Sequence, residues 1–361
     1  MRAAVMRNSE LVVDDLPDPE PGSGQVLVKT LACGICGSDL HALQHAHSMV
    51  ELSAKAGAGF VMDLSRDVVM GHEFCVEVLD YGPDTQKTLD TGARACSVPM
   101  LIGAGGIDSV GYSNTAPGGY GEHMLLSESM LLPVPDGLPT DLAALTEPMS
   151  VGYHAVEKAR IEGGEVPLVI GCGPVGLAVI TALRIKGLGP IIAADYSPAR
   201  RALAEKMGAD IIVDPAEHSP YESWQSAAET RAGETDAPPN PLTGERELPA
   251  AVYFECVGVP GVIDQMMLGA PRDTRIVVVG VCMEADRFQP FYGIVGEINM
   301  QFVLGYTPDE FEETLLMIAD GKMECEALIT GKVGVEGVAG AFAELGDPER
   351  HAKILVEPWR N

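Results

Sequence analysis

The 361-residue chain carries 24 basic against 52 acidic side chains, a formal net charge of −28. A field of that sign repels phosphate backbones and anionic lipid headgroups, which excludes nucleic acid and bare membrane surfaces as partners. Apolar residues at 46% and charged residues at 21% are ordinary globular usage. They exclude wholesale disorder, collagen and coiled coil, and the length predicts two domains.

The opening, Met1-Arg2-Ala3-Ala4-Val5-Met6-Arg7, has no long apolar run, which predicts no secretory signal and a cytoplasmic location. Up to residue 148 the chain reads as short strands, among them Gln25–Lys29, Cys75–Leu79 and Arg94–Val98. Turn signals at Pro21-Gly22, Tyr81-Gly82-Pro83, Gly118-Gly119 and Pro135-Asp136-Gly137 punctuate them, the pattern of a compact β-rich domain. After Glu147 the rhythm changes. Leu168-Val169-Ile170 is a buried strand, followed by a glycine-rich turn and a helix to about Lys186. Ile191–Asp195 is a second strand. Ser197–Met207 is a helix with Ser197 as N-cap and Pro198 at its first position. Ile211-Ile212-Val213, Ala251–Cys256 and Arg275–Val281 are later strands. This alternation predicts a parallel sheet covered on both faces.

The polar, proline-rich stretch from Asp214 to Pro249 reads as a surface insertion, helical over Tyr221–Arg231. An amphipathic helix spans Glu310–Asp320, and Lys353-Ile354-Leu355-Val356 is a final strand. Val166–Leu183 runs 18 residues without a charge, but Gly171, Gly173, Pro174 and Gly176 crowd its middle. A strand, turn and helix fit it better than a membrane span.

The eight cysteines are spread along the chain and only Cys33 and Cys36 are close, which excludes a zinc ribbon and most disulfide scaffolds. Cys75, Cys172, Cys256 and Cys282 sit in apolar, strand-like runs and are expected to be buried thiols.

Gly171-Cys172-Gly173-Pro174-Val175-Gly176 fits G-x-G-x-x-G between an apolar strand and a helix. Gly171 permits the turn, Gly173 lets the backbone approach a pyrophosphate, and Gly176 lets helix and strand pack. The helix N-terminus offers free N–H groups to the phosphates. Asp195, at the end of the next strand, is placed to bind the ribose hydroxyls. Its charge opposes a 2′-phosphate and favours NAD. Arg200 and Arg201 are the counter-evidence, since a guanidinium binds such a phosphate; the alternative is a helix surface with one arginine beside the adenine.

In the first domain, Gly34-Ile35-Cys36-Gly37-Ser38-Asp39-Leu40-His41 gathers a thiol, a hydroxyl, a carboxylate and an imidazole. Gly71-His72-Glu73 follows, then Glu147-Pro148. Thiolate, imidazole and carboxylate are ligand types that Zn²⁺ accepts, and ligands from distant segments with one open position suit a catalytic site. His45, His47 and His123 have no such context and read as surface or pocket residues.

These motifs stand in the order of a known family, together with Gly118-Gly119-Tyr120-Gly121-Glu122, Glu147-Pro148-Met149-Ser150 and Tyr306-Thr307-Pro308-Asp309. Along nearly its whole length the chain resembles the zinc-dependent medium-chain alcohol dehydrogenases, in particular their sorbitol and butanediol branch. The resemblance implies an α/β fold: a GroES-like β-rich catalytic domain plus a doubly wound parallel-sheet Rossmann domain. It implies a discontinuous catalytic domain, 1–148 and 294–361, around an NAD-binding domain, 149–293, with zinc and nicotinamide in the cleft between them. Cys36 and His72 become zinc ligands and Glu147 occupies the place of the third, with the choice between Glu147 and Glu73 left open. Glu73 also sits beside the metal, able to exchange with its bound water. Asp39 orients a ligand, Ser38 takes the substrate proton, and His41 ends a relay that runs through the ribose hydroxyl to solvent. Gly171, Gly173, Pro174, Val175, Gly176, Asp195 and Arg200 form the NAD site.

Many relatives carry four clustered cysteines for a structural zinc. The lobe around 97–117 has none, so one catalytic zinc and no structural zinc is expected. The segment Leu43–Val69 looks extended. With Met49, Phe60, Met62 and Leu64 it reads either as lining the substrate cleft or as a surface excursion. The expected reaction is hydride transfer between a secondary alcohol, or its ketone, and NAD, in a homodimer or homotetramer. The competing readings are a zinc-independent NADPH quinone or enoyl reductase of the same fold, and a nucleotide-binding protein without turnover.

Overall fold

The structure is a computed structural model and describes residues 1–57, 62–234, 239, 244 and 246–360. Phe60 and most of the proline-rich run 235–243 lie outside the described residues. Two compact units emerge, Met1–Pro148 with Thr307–Asn361, and Met149–Tyr306. The boundary falls inside the helix Thr146–Lys158.

The first unit is built around the ten-residue strand Gln25–Gly34. Glu73–Tyr81 pairs antiparallel along one edge, and His123–Ser127 and Lys353–Val356 share the other. Val26, Val28 and Thr30 point inward in strict alternation, the signature of a half-buried strand. The alternation ends at Ala32-Cys33-Gly34, where both faces are covered and the strand delivers the chain to Cys36. Cys36 caps the helix Gly37–Ala56, and Asp39 Oδ2 accepts the Cys36 N–H at 3.0 Å, holding the helix start to the residue that caps it. The helix kinks at His45 and absorbs the front half of the expected extension. Met49 and Met62 are buried in the core, so neither lines an open cleft.

In the cysteine-free lobe around 97–117 this unit has a two-stranded hairpin, Met100–Gly103 and Gly106–Ser109. Asp108 closes it by accepting from Ser113 Oγ at 3.2 Å and Thr115 Oγ1 at 3.0 Å.

The second unit holds six parallel strands in the spatial order Ile211–Val213, Ile192–Ala194, Val166–Ile170, Ala251–Glu255, Arg275–Val278, Asn299–Phe302. Numbered along the chain, that is 3-2-1-4-5-6, the doubly wound order whose ligand site lies beyond the carboxyl ends of the strands. The core packs Val166, Leu168, Ile192, Tyr253 and Ile276 against Trp224 and Met266. Trp224 comes from the helix Pro220–Gly233 in the insertion, and its indole N–H donates to Val166 O at 2.9 Å. That segment is therefore part of the core over its helical half.

Cys75 and Cys172 are buried as expected, but Cys256 and Cys282 are partly exposed. The strand before Cys282 stops at Val278, so Cys282 falls in the loop beyond it. Val166–Leu183 is a strand, a turn and the start of the helix Pro174–Ile185. Among the described residues, no helix is long and apolar enough to cross a membrane.

Candidate metal site and dinucleotide loop

Cys36 lies at the helix start, and His72 and Glu73 lead into the strand Glu73–Tyr81. One ligand atom from each lies within 4.8 Å of the other two. His72 and Glu73 are buried and Cys36 is half-buried. Glu147 is also buried, in the first turn of its helix, but does not belong to this mutually close set.

Two clusters of hydrogen bonds hold the group. Behind His72, Asp39 Oδ1 lies 3.4 Å from Nδ1. Asp39 also accepts from Tyr120 Oη at 2.6 Å and Tyr112 Oη at 2.9 Å. Burial alone would raise the Asp39 pKa. The His72 charge and the bonds from Tyr120 and Cys36 outweigh burial and hold it below the usual carboxylate range. Burial and the Asp39 charge push both phenols well up, so they keep their protons. Burial disfavours a charged His72, yet Asp39 and Cys36 draw its pKa well above that of a free imidazole. The raised value reflects the negative charge of Asp39 beside the His72 ring.

The second cluster is Glu73 with Lys353. The fully buried Lys353 Nζ donates to both Glu73 oxygens, at 2.6 and 2.7 Å, and to Ile35 O at 3.0 Å. Burial opposes the ammonium, but Glu73 and Cys36 more than compensate and raise its pKa. The Glu147 charge acts on Lys353 in the same sense.

Ser38 and His41 share one face of the helix that Cys36 caps. Ser38 Oγ lies 2.8 Å from Tyr112 Oη. His41 is half-buried, and burial, together with the neighbouring His45, lowers its pKa.

In the second unit, the glycine-rich turn forms with Gly171 at φ +93 and Gly173 as N-cap of Pro174–Ile185. A Cβ on Gly176 would lie 1.9 Å from Gly171 O, so Gly176 is fixed by packing of the helix on its own turn. A Cβ on Gly173 meets nothing closer than Arg200 at 3.9 Å, and its φ of −70 suits any residue. Nothing in the fold requires glycine at 173, whereas a phosphate lying against the backbone would. Asp195 Oδ2 accepts from Cys172 N at 2.7 Å and Oδ1 from Ser197 N at 2.8 Å, tying the acidic residue to the turn. Arg200 Nη1 stands 4.0 Å from Asp195 Oδ2, and its buried Nε has no hydrogen-bond partner. Arg201 instead binds Asp214 and the carbonyls of Asp195 and Tyr196.

Sequence reasoning missed two residues of the site. Lys353 was visible only as a charge heading a four-residue apolar strand. Tyr112 lies in the cysteine-free lobe, where the available signal was a run of hydroxyls, Ser109, Tyr112, Ser113 and Thr115, beside Asp108.

A doubly wound nucleotide-type sheet in one unit and a buried thiol–imidazole–carboxylate group in the other define the class of zinc-binding dehydrogenases. Residues 22–136 match the model of the alcohol dehydrogenase GroES-like domain, and residues 174–320 that of the zinc-binding dehydrogenases. Over 368 residues the chain is 30% identical to (R,R)-butanediol dehydrogenase of Bacillus subtilis, covering 99% of this chain and 100% of the relative. It is 26% identical to sorbitol dehydrogenase of the same organism, over 100% of this chain and 98% of the other. The crystal structure of Bacillus subtilis 2R,3R-butanediol dehydrogenase superposes with a TM-score of 0.77 at 27% identity, over 99% of both chains. The chain belongs to the zinc-dependent medium-chain alcohol dehydrogenases, in their sorbitol and butanediol dehydrogenase branch, and is an alcohol oxidoreductase.

Proposed function

We propose that this enzyme oxidises small secondary alcohols, vicinal diols or polyols to ketones, and runs the reverse reduction, with NAD and one catalytic Zn²⁺ per subunit. The observation that carries the reading is the buried Cys36–His72–Glu73 group with Asp39 set behind His72. Three protein ligands with a fourth position open is the donor pattern of a catalytic zinc. Asp39 at Nδ1 leaves Nε2 of His72 for the metal, the usual division of labour for a ligating histidine. The mutual approach of the three atoms favours Glu73 over Glu147 as third ligand, with Glu147 close enough to act on the Lys353 charge.

Zinc held by Cys36, His72 and Glu73 would supply Lewis-acid polarisation of the substrate oxygen, and a bound nicotinamide would supply the hydride acceptor. Ser38 takes the proton of the substrate hydroxyl. His41, three residues further along the same helix, is kept neutral near pH 7 by its lowered pKa and serves as the outer proton acceptor. Gly171, Gly173, Pro174, Val175 and Gly176 cradle the pyrophosphate, and Asp195 selects NAD. In this reading Arg200 flanks the adenine. The hydrogen-bonded closure of the 97–117 lobe by Asp108 supports the absence of a structural zinc. The two named relatives support diols and polyols.

The same proposal includes a homo-oligomer in the cytoplasm. The strand Asn299–Phe302 is paired on one edge, and Phe291, Ile294, Phe302 and Leu304 beside it are 61–74% exposed, a surface suited to a second copy of this chain. A monomer by light scattering would overturn that part.

The test is cofactor reduction by purified protein across polyols, diols and apolar secondary alcohols, with NAD⁺ and NADP⁺ in parallel and a chelator control. Chelator-sensitive NADH formation, best with small diols or polyols, and one zinc per chain by metal analysis are expected. Turnover indifferent to the chelator would install the zinc-independent reductase instead. Tight cofactor binding with no turnover on any substrate would leave the non-catalytic reading.

A further inference from the structure

We propose that the segment Leu43–Val69, which the dehydrogenase reaction leaves without a role, helps to build a second small-molecule site in the first unit. Its ligand is a carboxylate with a short apolar body.

A cavity of about 400 Å³ opens where three pieces of this unit meet. The hairpin that joins Arg2–Arg7 to Glu10–Asp15 brings Met6 and Ser9 to it. The helix Gly37–Ala56 brings Ala46 and His47, the two residues after its kink at His45. The segment leading into Val68–Val69 brings Leu64 and Arg66. None of the residues lining the cavity is acidic, in a chain with 52 acidic side chains.

The charges around the cavity leave Arg66 available. Its guanidinium has no hydrogen bond or ion pair among the described residues. Two carboxylates stand on the same segment, and both are engaged elsewhere. Arg7 grips both oxygens of Asp67, at 2.8 and 2.6 Å. Asp63 Oδ1 accepts from Ser65 N at 3.0 Å and from Ser65 Oγ at 2.6 Å. Those bonds, with a smaller part from the Arg66 charge, hold the Asp63 carboxyl below its usual range. Asn114 fixes the segment by accepting from Asp63 N at 2.7 Å and donating to Asp63 O and Asp67 O at 3.1 Å each.

The chemistry of the walls selects the ligand. The paired N–H groups of a guanidinium match the two oxygens of a carboxylate. The His47 ring offers a further N–H. Ser9 holds φ +61 in a two-residue turn whose second place usually takes glycine, and its hydroxyl has no protein partner among the described residues. Met6 and Ala46, each 3% exposed, and the partly buried Leu64 give the cavity an apolar side. A bare phosphate gains nothing from that side, whereas a short hydrocarbon body does.

The experiment is calorimetric titration of the full, zinc-loaded chain with acetate, hexanoate and inorganic phosphate. Hexanoate is expected to bind at least tenfold tighter than acetate, through its buried methylenes, and tighter than phosphate. Arg66→Gln changes an exposed residue outside the metal group. It should keep the zinc content and melting temperature and weaken hexanoate about tenfold, the size of a charged hydrogen bond. Leu64→Asn should narrow the gap between hexanoate and acetate while leaving acetate unchanged. Phosphate binding as tightly as hexanoate, or equal affinity for the two carboxylates, would overturn the ligand class. Hexanoate binding that survives Arg66→Gln would lie elsewhere on the molecule and overturn the site. A gap untouched by Leu64→Asn, or no binding of any of the three anions, would overturn it as well.

Discussion

The two units hold their carboxylates in opposite ways. In the first, Asp39 and Glu73 are met chiefly by side chains: two phenols and an imidazole for one, a buried ammonium for the other. In the second, Asp195, Glu165 and Glu255 are met by backbone amides, those of Cys172 and Ser197, of Glu162 and Gly163, and of Val257 and Gly258. Side-chain partners build a site of fixed charge, suited to a cation. Main-chain partners stiffen turns and leave other N–H groups and bare glycine surface for an anion. The contrast teaches that loss of a partner is the danger in one unit, and gain of an atom in the other.

The largest effect is expected where a buried charge loses its counter-charge. Lys353→Met strands the Glu73 carboxylate and should cost about 3–5 kcal/mol in denaturant unfolding of the metal-free protein. Adding Glu73→Gln should recover much of it. A loss near zero for Lys353→Met would break the comparison on its first side.

The second side is tested by adding one methyl group at two neighbouring glycines. Gly176→Ala forces a Cβ onto Gly171 O and should cost about 1–3 kcal/mol of stability, as overpacking does. Gly173→Ala has room in the fold and should leave the melting temperature in place, while weakening dinucleotide binding at least tenfold, about 1.4 kcal/mol. Calorimetry and thermal melts separate the two outcomes. A Gly173→Ala protein that binds NAD⁺ normally would contradict the phosphate cradle.

The smallest effect is expected at Glu165, buried but bound to amides and to Arg275. Burial pushes its pKa up, and the amides and Arg275 outweigh it and bring it below the ordinary glutamate value. Its stabilisation is therefore present at neutral pH and fades as pH falls through the folded-state value. Glu165→Gln should cost about 1 kcal/mol at pH 7 and nothing in strong acid. A gap that widens on acidification would reverse the assigned sign.

What was legible in the sequence was what is local. The strand, the glycine-rich turn, the helix and Asp195 lie within 30 residues of one another, so spacing alone carried them. Ser197 as N-cap is likewise visible, because cap and helix are contiguous. Cys36, His72 and Glu73 were legible as residue types in a family order. Their partners were not, because Asp39–Tyr112 and Glu73–Lys353 join positions 73 and 280 residues apart. Periodicity has no reach at that range. It also failed at Cys282, where an apolar run continued past the last paired residue of its strand.

The bond between Glu73 and Lys353 also sets an order of events. The whole second unit, Met149–Tyr306, lies between them along the chain. During synthesis, which proceeds from the N-terminus, that unit leaves the ribosome before Lys353 exists. The nucleotide-binding half is free to fold while the metal-ligating half still lacks its internal cation. Charge balance in the first unit is a late step in the molecule's own making.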